Sequence, residues 1–246
     1  GQIDLDHGLI YSLNTIAATI QTQYITPETH LEYLKKFGFF SNVNTDGLPE
    51  SSGLLNFTWP ADKLSLSYGQ GSTVTMLPLF QAYSSIFSDG TMVKPYFVDS
   101  IVDPYDESKV IYKAEKKAVG NPITSDTAKQ VQSIMYRVAN DEDGSARFYQ
   151  IPECKILAKT GGKTATSQKL PRGSGKYIAS FMGFAPADNP QVLVYYAFEG
   201  DYNPNAHAQT DATTALLRKV AQTYGFSNGD NATISSQETT QQTITT

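Results

Sequence analysis

Residues 157–169 read LAKTGGKTATSQK. The stretch continues the apolar run of CKILA and places Lys159, Thr160, Gly161 and Gly162 where that run ends. Its composition predicts a β-strand leaving the core. Side chains alternate along a strand, so Thr160, Gly162 and Thr164 are expected on one face. A glycine at 161 or 162 lets another backbone or a ligand lie close against the strand. A hydroxyl beside a fixed ammonium suits a carboxylate, because the hydrogen bonds are charge-assisted. One reading is thus a strand that walls an active site. The other is a strand end with turn glycines and a solvated lysine.

Two further β-type runs follow, KYIASFMGFAP and QVLVYYAFEG, joined by the turn formers of APADNP. With CKILAKTGG they predict an antiparallel sheet, and a helix from about Ala206 to Tyr224 would pack on it. Upstream, apolar residues at Leu9, Ile10, Leu13, Ile16, Ala17 and Ile20 predict a helix over 8–22. A second helix starts at Thr26-Pro27, cap and first position, and ends at Gly38. SNVNTDGLPESSGLLNFTW is rich in turn formers and reads as an irregular loop. TVTMLPLFQAYSSIFSDG reads as a helix capped by Thr75 and stopped at Asp89-Gly90. VKPYFVDSIVD reads as a strand, and TSDTAKQVQSIMYRVAND as an amphipathic helix capped by Thr124 or Ser125. The segment from Ser227 on is polar and of low complexity, and is expected to be a disordered tail or linker.

A second candidate stretch is YSLNT, with Ser12 and Asn14. Positions i and i+2 do not share a helix face, so both can point at one site only from a loop or a distorted turn. A polar break in a surface helix is the plainer reading.

The 246 residues carry a formal net charge of -5, which does not suit a nucleic-acid surface. The 15 tyrosines and 12 phenylalanines suit a groove for polar ligands, or are ordinary half-buried side chains. Cys154 is the single cysteine, and His7, His30 and His207 share no ligand-like spacing with it, so neither a metal nor another cofactor is expected. Cys154 reads as a small residue at a strand entrance. No window approaches a membrane span. The chain opens at Gly1 without a methionine or signal peptide, and reads as an internal portion of a longer protein. Lys163, Lys169, Arg172 and Lys176 form a basic stretch, read as a solvated loop or as a contact to acidic parts of a substrate. Asn-x-Thr sequons occur at Asn56 and Asn231, and no role is read from them.

Taken together and in this order, Ser12-x-Asn14 and Lys159-Thr160-Gly161 resemble the second and third motifs of the serine acyl-transfer family of penicillin-binding proteins and class A β-lactamases. LEYLKKFGFF resembles the helix after Ser-x-Asn, and SFMGFAPADNPQVLVYYAFE the strand pair after Lys-Thr-Gly. SYGQGSTVTMLPLFQAYSSIFSDGTMVKPYFVDSIVD is the most specific block and favours a transpeptidase. The match covers about Asp6 to Tyr224, and looks most like a class B enzyme of a Gram-positive-type bacterium.

The resemblance implies an α/β (α+β) penicillin-binding/β-lactamase-like fold. An antiparallel sheet would carry flanking helices and a helical lobe, with the lobe over about 8–90 and the sheet and last helix over about 91–226. It implies a peptidoglycan D,D-transpeptidase at the extracytoplasmic face of the membrane, working on stem peptides and inhibited by β-lactams. Division or elongation proteins would be partners. Ser12, Asn14 and Lys159 would be catalytic; Thr160, Gly161, Gly162 and Thr164 would bind substrate. Two departures stand out. No Ser-x-x-Lys, the family's nucleophile motif, occurs in these residues. The expectation is that the nucleophile lies in a missing N-terminal half, whose absence would leave an incomplete sheet and exposed apolar surface, so that either a separate partner chain carrying that half or poor solubility is expected. The alternatives are a catalytically inactive sensor or scaffold and a β-lactamase-type hydrolase. Second, Gly162 stands where the family has Thr or Ser, removing one hydroxyl from the substrate-facing row. Thr164 could replace it only if the strand bends.

Overall fold

The computed structural model describes residues 2–166, 176–201, 208–228 and 243–245. In chain order the elements are β1 (Gln2–Asp4), α1 (Leu5–Ile10), α2 (Asn14–Gln23), α3 (Pro27–Lys36), α4 (Pro60–Leu66), α5 (Met76–Phe87), β2 (Met92–Val93), β3 (Ser100–Asp103), β4 (Asp106–Lys113), β5 (Ala118–Gly120), α6 (Ser125–Asn140), β6 (Leu157–Thr166), β7 (Lys176–Ala185), β8 (Val192–Asp201), α7 (Ala208–Tyr224) and β9 (Thr243–Thr245). They fall into two compact units, residues 1–19 with 130–246, and residues 20–129. Residues 8–90, expected to form the helical lobe, contribute to both.

In the first unit β6, β7 and β8 make an antiparallel sheet in that order. The β7–β8 register is regular from Lys176↔Asp201 to Ala185↔Val192. One face packs against a core of Ile10, Val138, Ala139, Tyr149, Ile156, Ala158, Phe181, Val194, Leu217 and Ala221. The apolar stripe of the amphipathic helix α6 supplies Val138 and Ala139, and that of α7 supplies Leu217 and Ala221. Phe181 is fully buried and stacks on Tyr149, with ring centroids 4.3 Å apart. Among the described residues of this unit, Thr243–Thr245 pair antiparallel with Gln2–Asp4. The expected disordered tail otherwise lies mostly outside the described residues, although Asn228 accepts a hydrogen bond from the Lys155 N–H at 2.8 Å.

In the second unit Thr26 caps α3 by accepting from the Thr29 N–H at 3.1 Å, with Pro27 opening the helix. Gly38 follows in the left-handed region at φ +82°. Residues 41–59 contain no helix or strand beyond an isolated bridge, Leu54↔Thr73. Carboxylates organise this loop instead: Glu50 accepts from the N–H groups of Val43 and Thr45 at 2.7 and 2.6 Å. These hydrogen bonds hold the Glu50 carboxyl below its usual pKa range.

Two expectations need correcting. The helix over 8–22 is two helices, broken at Tyr11–Leu13. Of the strand expected over 93–103, only Val93 in β2 and the residues of β3 are strand, because between them Asp46 takes the Phe97 and Val98 N–H groups that a sheet partner would need. The hairpin partner β4 and the short helix α4 were not anticipated, although Val110 and Tyr112 alternate in β4 and Pro60 with Asp62 marks the start of α4.

Phe181→Ala would leave a cavity behind the strand that carries Lys159 and Thr160. It should cost about 3–5 kcal/mol, read as a lower urea midpoint at unchanged slope.

Candidate active site

Ser12 lies in the break between α1 and α2, at φ +58°. Its N–H donates to Leu9 O at 3.1 Å, and the Leu13 N–H donates to Gly8 O at 2.9 Å. This pair of bonds is the Schellman helix ending, in which glycine usually takes the left-handed seat. Serine there costs of order 1–2 kcal/mol in backbone sterics. The turn therefore holds a residue that its backbone conformation disfavours, and with it a hydroxyl that glycine would lack. Ile10, two residues earlier, is fully buried in the core and fixes the turn's position.

The strand supplies the facing groups. Lys159 pairs with Met182 and Thr160 with Phe181, so the Lys159 and Thr160 side chains leave opposite faces of β6. Thr160 is on the side of buried Phe181, and its hydroxyl donates to Ser145 Oγ at 3.3 Å. Lys159 donates to Ser12 Oγ at 2.6 Å and to the Thr160 carbonyl at 2.7 Å. Both partners are uncharged oxygens. Burial without a counter-charge pushes the Lys159 ammonium down to about 8 from 10.5.

Gly161 sits opposite Ser180, and any side chain at 161 would run into the Ser180 hydroxyl. The close approach of strands accounts for this glycine. The register then shifts between Gly161↔Ser180 and Ala165↔Ile178, four residues on β6 against two on β7. Gly162 and Thr164 fall inside this bulge, so simple alternation is interrupted there. Their side chains, and those of the basic residues at 163, 169, 172 and 176, lie outside the described ones.

Of the residues singled out from the sequence, Ser12, Lys159 and Thr160 are brought together. Asn14 is exposed in the first turn of α2, and among the described residues it is not a hydrogen-bond partner of Lys159. Sequence reasoning passed over Ser145 and the contact of the Tyr11 hydroxyl with Asp143 at 2.6 Å. Both lie in the NDEDGSA turn after α6, where no spacing or periodicity marks them. Cys154 is buried, and its thiol is pushed up to about 11, which makes it unreactive. Among the described residues no cluster of three or more His, Cys, Asp or Glu could hold a metal ion. Among them too, no helix is long and apolar enough to cross a membrane.

Residues 1–222 match the penicillin binding protein transpeptidase domain. The chain belongs to the penicillin-binding protein transpeptidase family. It is 31% identical over 194 residues to the stage V sporulation protein D of Bacillus subtilis, covering 76% of this chain and 28% of that protein. It is also 31% identical over 207 residues to a probable peptidoglycan D,D-transpeptidase PenA of Neisseria meningitidis, covering 81% of this chain and 32% of that one. The chain thus spans about a third of the length of these curated relatives. Among solved structures it resembles penicillin-binding protein 3 of Mycobacterium tuberculosis in complex with aztreonam, with a TM-score of 0.78 at 22% identity, over 92% of this chain and 52% of that one. Penicillin-binding protein 2B of Streptococcus pneumoniae gives a TM-score of 0.78 at 19% identity, over 92% and 40%. These matches establish the mixed helix-and-sheet transpeptidase fold.

Lys159 should titrate with a midpoint near 8 by NMR of its side chain, and a midpoint at 10 would contradict its buried setting. Between about 8 and 10.5 the unfolded chain keeps a proton that the folded site has released. The penalty for burying the ammonium is therefore full below that window and is relieved as pH rises through it. Replacing Lys159 by Met should remove this upward slope of stability with pH.

Proposed function

We propose that this chain supplies two of the three catalytic motifs of a peptidoglycan D,D-transpeptidase. The observation that carries the reading is the 2.6 Å contact between Lys159 Nζ and Ser12 Oγ, which joins the Ser-x-Asn and Lys-Thr-Gly segments. In this reading a serine outside these residues attacks the carbonyl of a D-Ala-D-Ala stem peptide and expels D-Ala. The acyl group then passes to the amine of a neighbouring stem. A serine is a weak nucleophile and needs a base within hydrogen-bond reach; the lysine of the same absent Ser-x-x-Lys motif is assigned that role.

Ser12 relays a proton to the leaving nitrogen, and the Lys159 ammonium lowers the cost of that transfer. A lysine near pKa 8 suits this work, since it can give and regain a proton close to neutral pH. Asn14 orients the lysine base and the substrate amide. Thr160 binds the terminal carboxylate. The backbone N–H at Gly162 or its neighbour, with the nucleophile's own N–H, forms the oxyanion hole. Gly161, with no side chain, leaves room for substrate to lie along the strand. β-Lactams enter as mimics of the stem peptide, in keeping with the aztreonam complex of the structural neighbour. The work takes place at the outer face of the cytoplasmic membrane, with division or elongation proteins as partners.

Labelling of the full-length protein with a fluorescent penicillin tests this. A stable adduct is expected, and none would favour an inactive sensor or scaffold; rapid turnover would favour a β-lactamase-type hydrolase. Ser12→Ala and Lys159→Ala should each slow labelling by about 100-fold or more. Residues 1–246 alone should form no covalent adduct.

A further inference from the structure

We infer that Ser145 is a substrate-positioning residue, which aims the Thr160 hydroxyl at the carboxylate of the acyl donor. This rests on the transpeptidase reading above and extends it to a residue outside both motifs. Ser145 is tied to both sides of the site. Its N–H donates to Ile10 O at 3.1 Å, two residues before Ser12, and its hydroxyl accepts from Thr160 at 3.3 Å, one residue after Lys159. Its neighbours leave it little freedom. Ala146 is fully buried and its N–H donates to Val138 O at 3.0 Å. At Gly144, any side chain would collide with the Val138 carbonyl at the end of α6.

The hydroxyl chemistry gives the pair a direction. A hydroxyl has one proton and two acceptor lone pairs. In the free site the single Thr160 proton is given to Ser145. To bind a carboxylate, Thr160 must turn that proton outward, and the pair survives only if Ser145 turns its own proton to Thr160 Oγ1. The result is a chain, Ser145 O–H to Thr160 O–H to carboxylate, in which each bond polarises the next. At 162 the chain has glycine, with no hydroxyl to share this work. One strand hydroxyl backed by Ser145 takes the place of two strand hydroxyls.

The experiment compares two thioester acyl donors on the full-length protein, identical except that one ends in a free carboxylate and the other in its amide. The readout is the ratio of kcat/KM for acid over amide, which cancels a general loss of folded or active enzyme. The wild type should prefer the acid. Ser145→Ala should lower the ratio about fivefold, within the range of one net hydrogen bond, and Ser145→Thr should retain it. Thr160→Val should abolish the preference, and adding Ser145→Ala to it should change the ratio no further. An unchanged ratio in Ser145→Ala, or a further fall in the double variant, overturns the inference while leaving the transpeptidase reading intact. A wild type that turns over neither donor, or does not distinguish them, overturns the assignment of Thr160 to the carboxylate and this inference with it.

Discussion

The hydrogen bond from Lys159 to Ser12 closes a gap of 147 residues in the chain, and both ends are held by buried structure. On one side Ile10 anchors the turn in the core. On the other, Leu157 and Ala158 are fully buried ahead of the lysine, and Phe181 fixes the neighbouring strand. These residues fix the backbone from which the Lys159 side chain reaches Ser12. Its ammonium is left between two neutral oxygens, and its lowered pKa follows from that confinement. Geometry and proton affinity therefore share one cause, the packing of β6 against the core.

The alternation of the strand also sorts the chemistry. Lys159 and Thr160 are adjacent, so they leave opposite faces. One reaches the turn between α1 and α2, the other the segment after α6. In the proposed reaction this separates proton traffic from carboxylate recognition while keeping them one residue apart. In this chain the Lys-Thr-Gly segment thus reaches two neighbourhoods, and each holds a hydroxyl, Ser12 or Ser145.

Much of this was legible in the sequence because the signals were local. Thr26-Pro27 announces α3, the Ala-Pro-Ala-Asp-Asn-Pro turn announces the β7–β8 hairpin, and the three apolar runs announce the sheet. The break at Ser12 was not legible as structure, since the apolar period runs through it unbroken from Leu9 to Ile20. Only the requirement that Ser12 and Asn14 face one site pointed to a turn. The bulge after Gly161 was equally hidden, because bulges depend on the partner strand, and β7 lies beyond the segment that would have had to reveal it. Ser145 left no trace at all: its contact with Thr160 is tertiary, and nothing in the polar turn marks it.

The left-handed seat of Ser12 has a consequence for evolution under thermal pressure. Glycine would relax that backbone by about 1 kcal/mol, so a search that rewarded heat tolerance alone would drift toward glycine at this position and, in the proposed reaction, give up the proton relay as it hardened the scaffold. An alcohol in a place shaped for hydrogen is what that relay would require.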